Sequence, residues 1–193
     1  MVIYRDVFKR VRALALACAL SAAVVVSAPC EARADETPAE SPFSQIGTFA
    51  DEIKDYVGSL ADAANERAAE RERAGRREAV IGTAMDLRGV PYVYGGTTPS
   101  GFDCSGFTRW VYEQALGIEL PRTAAEQSAM GESVPMDGLM PGDLLFWGSG
   151  SGVYHVAIYA GDGEYIHAST GRGQIVRQTM EYFVPDFAKR LIA

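Results

Sequence analysis

Apolar residues recur at two different periods along this chain, and the change of period divides it. Phe43, Ile46, Phe49 or Ala50, Ile53, Val57 and Leu60 fall at every third or fourth position. That spacing predicts a helix with one apolar stripe, opened by Ser41 as N-cap and Pro42 at the first helical position. Residues 62–78 are then rich in Ala, Glu and Arg with almost no large apolar side chain, the pattern of a solvated helix or linker broken at Gly75. Val80, Ile81, Ala84 and Leu87 predict a short helix ending near Gly89, and Phe107, Trp110, Val111 and Ala115 another ending at Gly117. Thr123-Ala124-Ala125-Glu126 reads as a capping box for a further short helix to about Met130. After Pro141-Gly142 the period becomes strand-like. Residues 143–147, 155–160, 164–169, 174–180 and 189–192 predict strands separated by Gly-rich turns. Helices followed by antiparallel strands make an α+β plan, with N-terminal helices packed on a central antiparallel sheet of about five strands.

The first 34 residues read apart from the rest. Arg5, Lys9, Arg10 and Arg12 precede an apolar run over residues 13–28, and Ala32-Arg33-Ala34 follows it with a small-x-small pattern. This predicts a secretory signal peptide over 1–34, cleaved before Asp35. The run falls short of the roughly 20 residues a spanning helix needs, so no stable membrane span is expected after cleavage. A lipoprotein anchor through Cys30 is disfavoured by Pro29. The expected organisation is then a polar lead-in with an amphipathic and charged helical segment over 35–78, and one domain over 79–193. The apolar stripe within 43–60 has three uses open to it: docking on its own domain, which is slightly favoured, pairing with a partner, or touching an envelope surface.

Composition narrows the function. The 193 residues are 48% hydrophobic and 22% charged, as in globular proteins. A formal net charge of −7 argues against a nucleic-acid binder, which presents a basic face to phosphate. Of the three cysteines, Cys18 and Cys30 lie in the leader. Cys104 remains alone, without an internal disulfide framework, so its thiol is either buried and inert or reactive and used. It stands at the predicted start of the helix before Leu116, where free backbone N–H groups and the helix dipole favour a thiolate and suit an oxyanion. The chain has only two histidines, His155 and His167. A nucleophilic cysteine needs an imidazole to take its proton, and that imidazole needs a polar partner. Coincidence or packing is the alternative for two histidines near neighbouring strands. Zinc is disfavoured, and no metal is expected, because no CxxC, HxH or HExxH pair occurs. A tight Asp162-Gly163 turn places the two histidines on opposite sheet faces. A three-residue Gly161-Asp162-Gly163 loop pairs Ala157 with His167 and His155 with Ser169, so both rings share a face. Catalysis by this pair therefore calls for the odd-length loop.

Six blocks follow one another in fixed order: Pro91-Tyr92-Val93-Tyr94-Gly95-Gly96, Asp103-Cys104-Ser105-Gly106-Phe107, Leu120-Pro121-Arg122-Thr123, Pro141-Gly142-Asp143-Leu144, His155-Val156-Ala157-Ile158-Tyr159 and Ile166-His167-Ala168. Together they resemble the NlpC/p60 family of papain-like cysteine peptidases, which cut bacterial cell-wall peptides. Ala157 departs from the glycine common there, a change of one methyl. The resemblance implies a papain-like fold over 79–193, with Cys104 as nucleophile, His155 as general base and His167 as the polar residue that orients it. It also implies substrate or oxyanion contact for Tyr92. Asp103 and Ser105 correspond to positions that in some members bind a peptide's free amino terminus; capping and packing are their plainer uses. Arg122 either contacts substrate or braces its loop. The expected activity is that of a secreted, envelope-associated peptidoglycan endopeptidase, cutting stem peptides after D-glutamate at a γ-D-glutamyl–diamino acid bond without a cofactor. The alternatives are an amidase or acyltransferase on the same scaffold, or a non-catalytic wall-binding module with residues 43–60 as its helical interaction element.

Overall fold

The computed structural model describes residues 42–192, with side chains from residue 50. The expected leader, the lead-in, the Ser41 cap and the side chains of Phe43, Ile46 and Phe49 lie outside the described residues. The chain divides into two units, Met1–Glu52 and Ile53–Ala193, and the second holds the sheet and every candidate site residue.

Helix α1 (Pro42–Asp86) is continuous, where two helices and a break at Gly75 were expected. Ala, Glu and Arg are strong helix formers, and one interior glycine costs only about 1 kcal/mol. The expected boundary at 78–79 falls inside this helix. Ile53, Val57 and Leu60 are 46%, 57% and 51% exposed, so the stripe is not docked on its own domain at these positions. The last turns do dock. Val80 and Ala84 are fully buried, with Ile81, Met85 and Leu87 packed beside them, and Arg77 donates to the Ile192 carbonyl at 3.1 Å. Among the described residues no helix is long and apolar enough to cross a membrane.

A small ladder of β1 (Thr97–Thr98) and β2 (Gly101–Phe102) leads into α2 (Cys104–Leu116). Asp103 caps α2 by accepting the Gly106 N–H, and Gly117 closes it in the left-handed conformation. The Thr123–Glu126 capping box forms, but α3 (Ala124–Gln127) ends sooner than expected. Gln127 is fully buried and donates to the carbonyls of Ser105 and Pro121, tying α3 to the start of α2.

Strands β3 (Glu132–Val134), β4 (Leu144–Trp147), β5 (His155–Gly161), β6 (Glu164–Ser169), β7 (Gln174–Thr179) and β8 (Phe187–Arg190) form one antiparallel sheet in the order β3-β8-β4-β5-β6-β7. The sixth strand, β3, is a short edge with exposed Glu132 and Ser133, too polar to read as a strand. Alternation divides the faces. Leu144, Phe146, Val156, Ile158, Ile166 and Ala168 pack with Phe107, Val111 and Tyr112 of α2. Leu145, Trp147, Ala157, Tyr165 and Ala188 form a second cluster. The Tyr112 hydroxyl donates to the Gly142 carbonyl. Arg190 donates through Nε and Nη2 to the two oxygens of buried Asp143, at 2.8 and 2.7 Å, joining β8 to the start of β4.

The β5–β6 turn corrects the expected loop. Gly161 pairs with Glu164 across a two-residue Asp162-Gly163 turn, and both turn residues have positive φ, 53° and 73°, as the hairpin turn of that size demands. The extra residue is taken up in the strand instead. The register shifts between Tyr159 and Gly161, so Tyr159 faces Tyr165 and Ile158 faces Ile166. This bulge produces the pairing the longer loop was expected to give, and His155 and His167 share a face.

Candidate active site

The start of α2 and the loop before it are held together by one carboxylate. Asp103 Oδ1 accepts from the Gly106 N–H at 2.7 Å and from the Ser105 hydroxyl at 3.3 Å, and Oδ2 accepts from the Gly95 N–H at 3.1 Å. Arg122 lays its fork across both oxygens at 3.1 and 2.5 Å and reaches Ser105 Oγ at 2.9 Å. Burial works against the charge on Asp103, but the bonds from Arg122, Gly106 and Gly95 outweigh it and hold its pKa below the ordinary value. Asp103 is thus both the α2 cap and the partner of Arg122, and both of its oxygens are already engaged. Behind it the Gly96 carbonyl accepts the Asp103 N–H at 3.0 Å. A Cβ on Gly106 would come within 3.1 Å of both the Gly96 carbonyl carbon and Asp103 Oδ1. The loop approaches the helix this closely only because residue 106 is glycine.

Cys104, one residue into α2, lies where two clefts meet. One, of about 270 Å³, is lined by Tyr92, Cys104, Tyr154, His155, His167 and Gln178 among others. The other, of about 460 Å³, is lined by Tyr92, Tyr94, Asp103, Cys104, Ser105 and Arg122 among others. All seven residues singled out in the sequence therefore border this pair of clefts. His155 Nε2 and His167 Nδ1 are 2.7 Å apart, which leaves Nδ1 as the ring nitrogen of His155 free to serve a thiol. Trp147 stacks on Phe183 at 4.6 Å and meets the His155 ring at 5.1 Å, while Tyr165 meets His167 edge-on at 4.9 Å. These aromatic walls hold both imidazoles in a dry setting.

That dryness decides the protonation states. Burial lowers the pKa of His155, and the neighbouring His167 adds to the effect. Burial lowers His167 as well, opposed by Gln178. Both rings are neutral near pH 7. Burial also raises the pKa of Cys104, with the charge of Asp103 adding to it; the N–H groups of Val156, Ser105 and Cys104 itself pull the other way without prevailing. The expected preformed thiolate is thus replaced by a neutral thiol beside a neutral imidazole, because desolvation outweighs the helix end. Tyr92 is raised by burial and then by Cys104, Asp103 and Tyr94, so its hydroxyl keeps its proton and is a donor.

Sequence reasoning passed over Gln178, Tyr154 and Phe183, which line the same cleft. Gln178 was findable: the Gly171-Arg172-Gly173 turn sets the β6–β7 register, and Gln178 then falls opposite Tyr165, diagonal to His167.

Residues 89–190 match the NlpC/P60 family. The chain is 44% identical to the gamma-DL-glutamyl hydrolase of Bacillus subtilis over 113 residues, covering 57% of this chain and 26% of that protein. It is also 44% identical to the murein DD-endopeptidase MepS/murein LD-carboxypeptidase of Escherichia coli over 96 residues, covering 50% and 51%. The chain thus spans about half, or less, of the length of these curated relatives. The crystal structure of the NlpC/p60 domain of the peptidoglycan hydrolase SagA superposes with a TM-score of 0.58 at 43% identity, covering 60% of this chain and 98% of that one.

Proposed function

Because this chain belongs to the NlpC/P60 family of cysteine peptidases, we propose that it is a peptidoglycan hydrolase, an endopeptidase that cuts stem peptides after D-glutamate at the γ-D-glutamyl–diamino acid bond and acts in the bacterial envelope after secretion. The observation that carries this reading is the convergence of Cys104, His155 and His167 on one cleft, with the two imidazoles 2.7 Å apart. The name of the Bacillus subtilis relative supports the D-glutamyl bond.

In this reading Cys104 Sγ attacks the scissile carbonyl carbon as His155 Nδ1 takes the thiol proton. Starting from a neutral pair, the proton moves during attack rather than before it. The oxyanion is met by backbone N–H at the α2 start and by the Tyr92 hydroxyl. His155, now protonated and steadied by His167, donates to the leaving amine as the C–N bond breaks, which leaves a thioester on Cys104. Water, deprotonated by His155, attacks the thioester carbonyl and releases the new carboxylate and the thiol. The cleft lined by Arg122, Asp103 and Ser105 adjoins the histidine cleft, sharing Tyr92, Cys104 and Tyr154 with it, and is assigned to the acyl side of the substrate.

The test is a digest of purified muropeptides read by mass spectrometry, with Cys104→Ala as control. Products ending in D-glutamate support the proposed bond. Cross-linked dimers resolved into monomers with intact stems move the assignment to the cross-link, the bond named for the Escherichia coli relative. A Cys104→Ala protein that digests as well as the parent removes the thiol mechanism.

A further inference from the structure

We propose that Gln178 is a positioning residue for this reaction: its side-chain carbonyl accepts the Nε2 proton of His167, and by fixing that tautomer it keeps the Nδ1 lone pair of His155 free for the Cys104 proton. The inference rests on the reading of Cys104 and His155 as nucleophile and base.

Two neutral imidazoles facing each other through His155 Nε2 and His167 Nδ1, 2.7 Å apart, share one proton. If it sits on His155 Nε2, then His155 Nδ1 is bare and can act as a base, and the second proton of the pair lies on His167 Nε2. If it sits on His167 Nδ1, then His155 carries its own proton on Nδ1 and cannot serve the thiol. The two arrangements differ at the far end of the pair, so whatever faces His167 Nε2 chooses between them.

That nitrogen is buried, in a residue only 5% exposed, and among the described residues no group meets the full geometry of a hydrogen bond to it, although Gln178 is near enough to act on the ring. A buried N–H is costly when unpaired, so the active tautomer needs an acceptor there. Gln178 is the candidate by register. Val176 faces His167 and Gln178 faces Tyr165, which puts the amide on the same sheet face, one diagonal step from the ring. Gln178 also lines the cleft that holds Cys104, His155 and His167. Its amide nitrogen is already committed, donating to the Tyr165 hydroxyl at 2.8 Å, which leaves the amide oxygen for His167. The effect of Gln178 on His167 is to raise its pKa against burial, as an acceptor for the ring proton does. The preceding residue on β7, Arg177, pairs instead with Glu164.

The chain has only two histidines, so ring-nitrogen NMR of the full protein reads both tautomers without overlap. At neutral pH the parent is expected to carry the protons on His155 Nε2 and His167 Nε2. Gln178→Leu, which removes the acceptor, should move His167 toward the Nδ1 form. It should also lower kcat on the order of tenfold with KM little changed, because only the competent tautomer turns over. Gln178→Glu, which keeps an acceptor, should retain the parent tautomer and most of the turnover. A parent His167 protonated on Nδ1 overturns the proposal. So does a folded Gln178→Leu protein with unaltered tautomers, or equal losses in the Leu and Glu variants. If Gln178→Leu fails to fold, the parent spectrum and the Glu variant still decide. Should the parent cut no muropeptide, the functional reading fails separately, and the ring spectra still report on Gln178.

Discussion

Replacing Gly106 with alanine separates two opposite expectations. Gly106 is the third residue of α2 and lies in helical backbone, where alanine is the better helix former by about 1 kcal/mol. From the sequence alone the change should stabilise. The structure argues the reverse. The new Cβ would lie 3.1 Å from the Gly96 carbonyl carbon and from Asp103 Oδ1, and closer still to the Gly96 oxygen, where ordinary contact begins at 3.4 Å. None of these neighbours is a loose chain end. The Gly96 oxygen holds the Asp103 N–H at 3.0 Å, the Gly96 N–H is bound to Val93 at 2.9 Å, and Gly95 is bound to Asp103. Relief requires the 91–96 loop to retreat on the order of 1 Å, carrying Tyr92 away from Cys104; a misplacement of that size costs about 100-fold in turnover.

Overpacking of this kind costs about 1–3 kcal/mol, which matches or exceeds the gain in helix propensity, so a net loss of up to about 2 kcal/mol is expected. For a domain of this size that lowers Tm by up to roughly 8 °C. Thermal melts of parent and Gly106→Ala measure the first effect. Turnover on muropeptides, together with the rate of Cys104 alkylation, measures the second without relying on one substrate. A Gly106→Ala protein with raised Tm and parental turnover refutes the argument, since it would mean that the loop yields freely and that the close approach has no role.

Three further outcomes are expected. His155 and His167 are held neutral by burial with pKa values below the ordinary one; the unfolded chain binds more protons than the fold below about pH 6.5, so stability should fall as pH drops through that value, by up to about 1.4 kcal/mol per pH unit for each ring. Urea titrations at pH 7, 6 and 5 check this against His155→Asn/His167→Asn, and equal slopes in the two proteins would sink it. Since burial raises the Cys104 thiol, iodoacetamide should react slowly at neutral pH and faster well beyond pH 8.5; a plateau reached below pH 7 would reinstate a preformed thiolate. His167→Asn should keep substantial activity and His167→Ala should lose on the order of 100-fold, with His155→Ala worse; parental turnover in His167→Ala leaves only a Cys104–His155 pair.

Features decided by near neighbours in the chain were legible in the sequence. The capping box at Thr123 and the Asp103 cap before Cys104 are contacts over three residues. Strand alternation placed four of the five expected strands within about one residue of their bounds, and the fifth within two. Features decided by what lies across the fold were not legible. The β5–β6 hairpin has the shared face that catalysis by the two histidines called for, but the extra residue resides in a bulge after Tyr159 rather than in the turn; register depends on parity, and the chain alone does not say where an odd residue is absorbed. The Cys104 pKa shows the same divide. A helix start is visible in Asp103-Cys104-Ser105-Gly106, whereas the burial that reverses its effect comes from strands and loops elsewhere in the fold. Gln178 stands between the two cases. Nothing in its immediate sequence marks it, yet once a Gly-rich turn fixes the β6–β7 register, its place beside His167 follows from strand geometry. A site built on paired strands is therefore readable from sequence as far as register can be argued, and its electrostatics only once the surrounding walls are known.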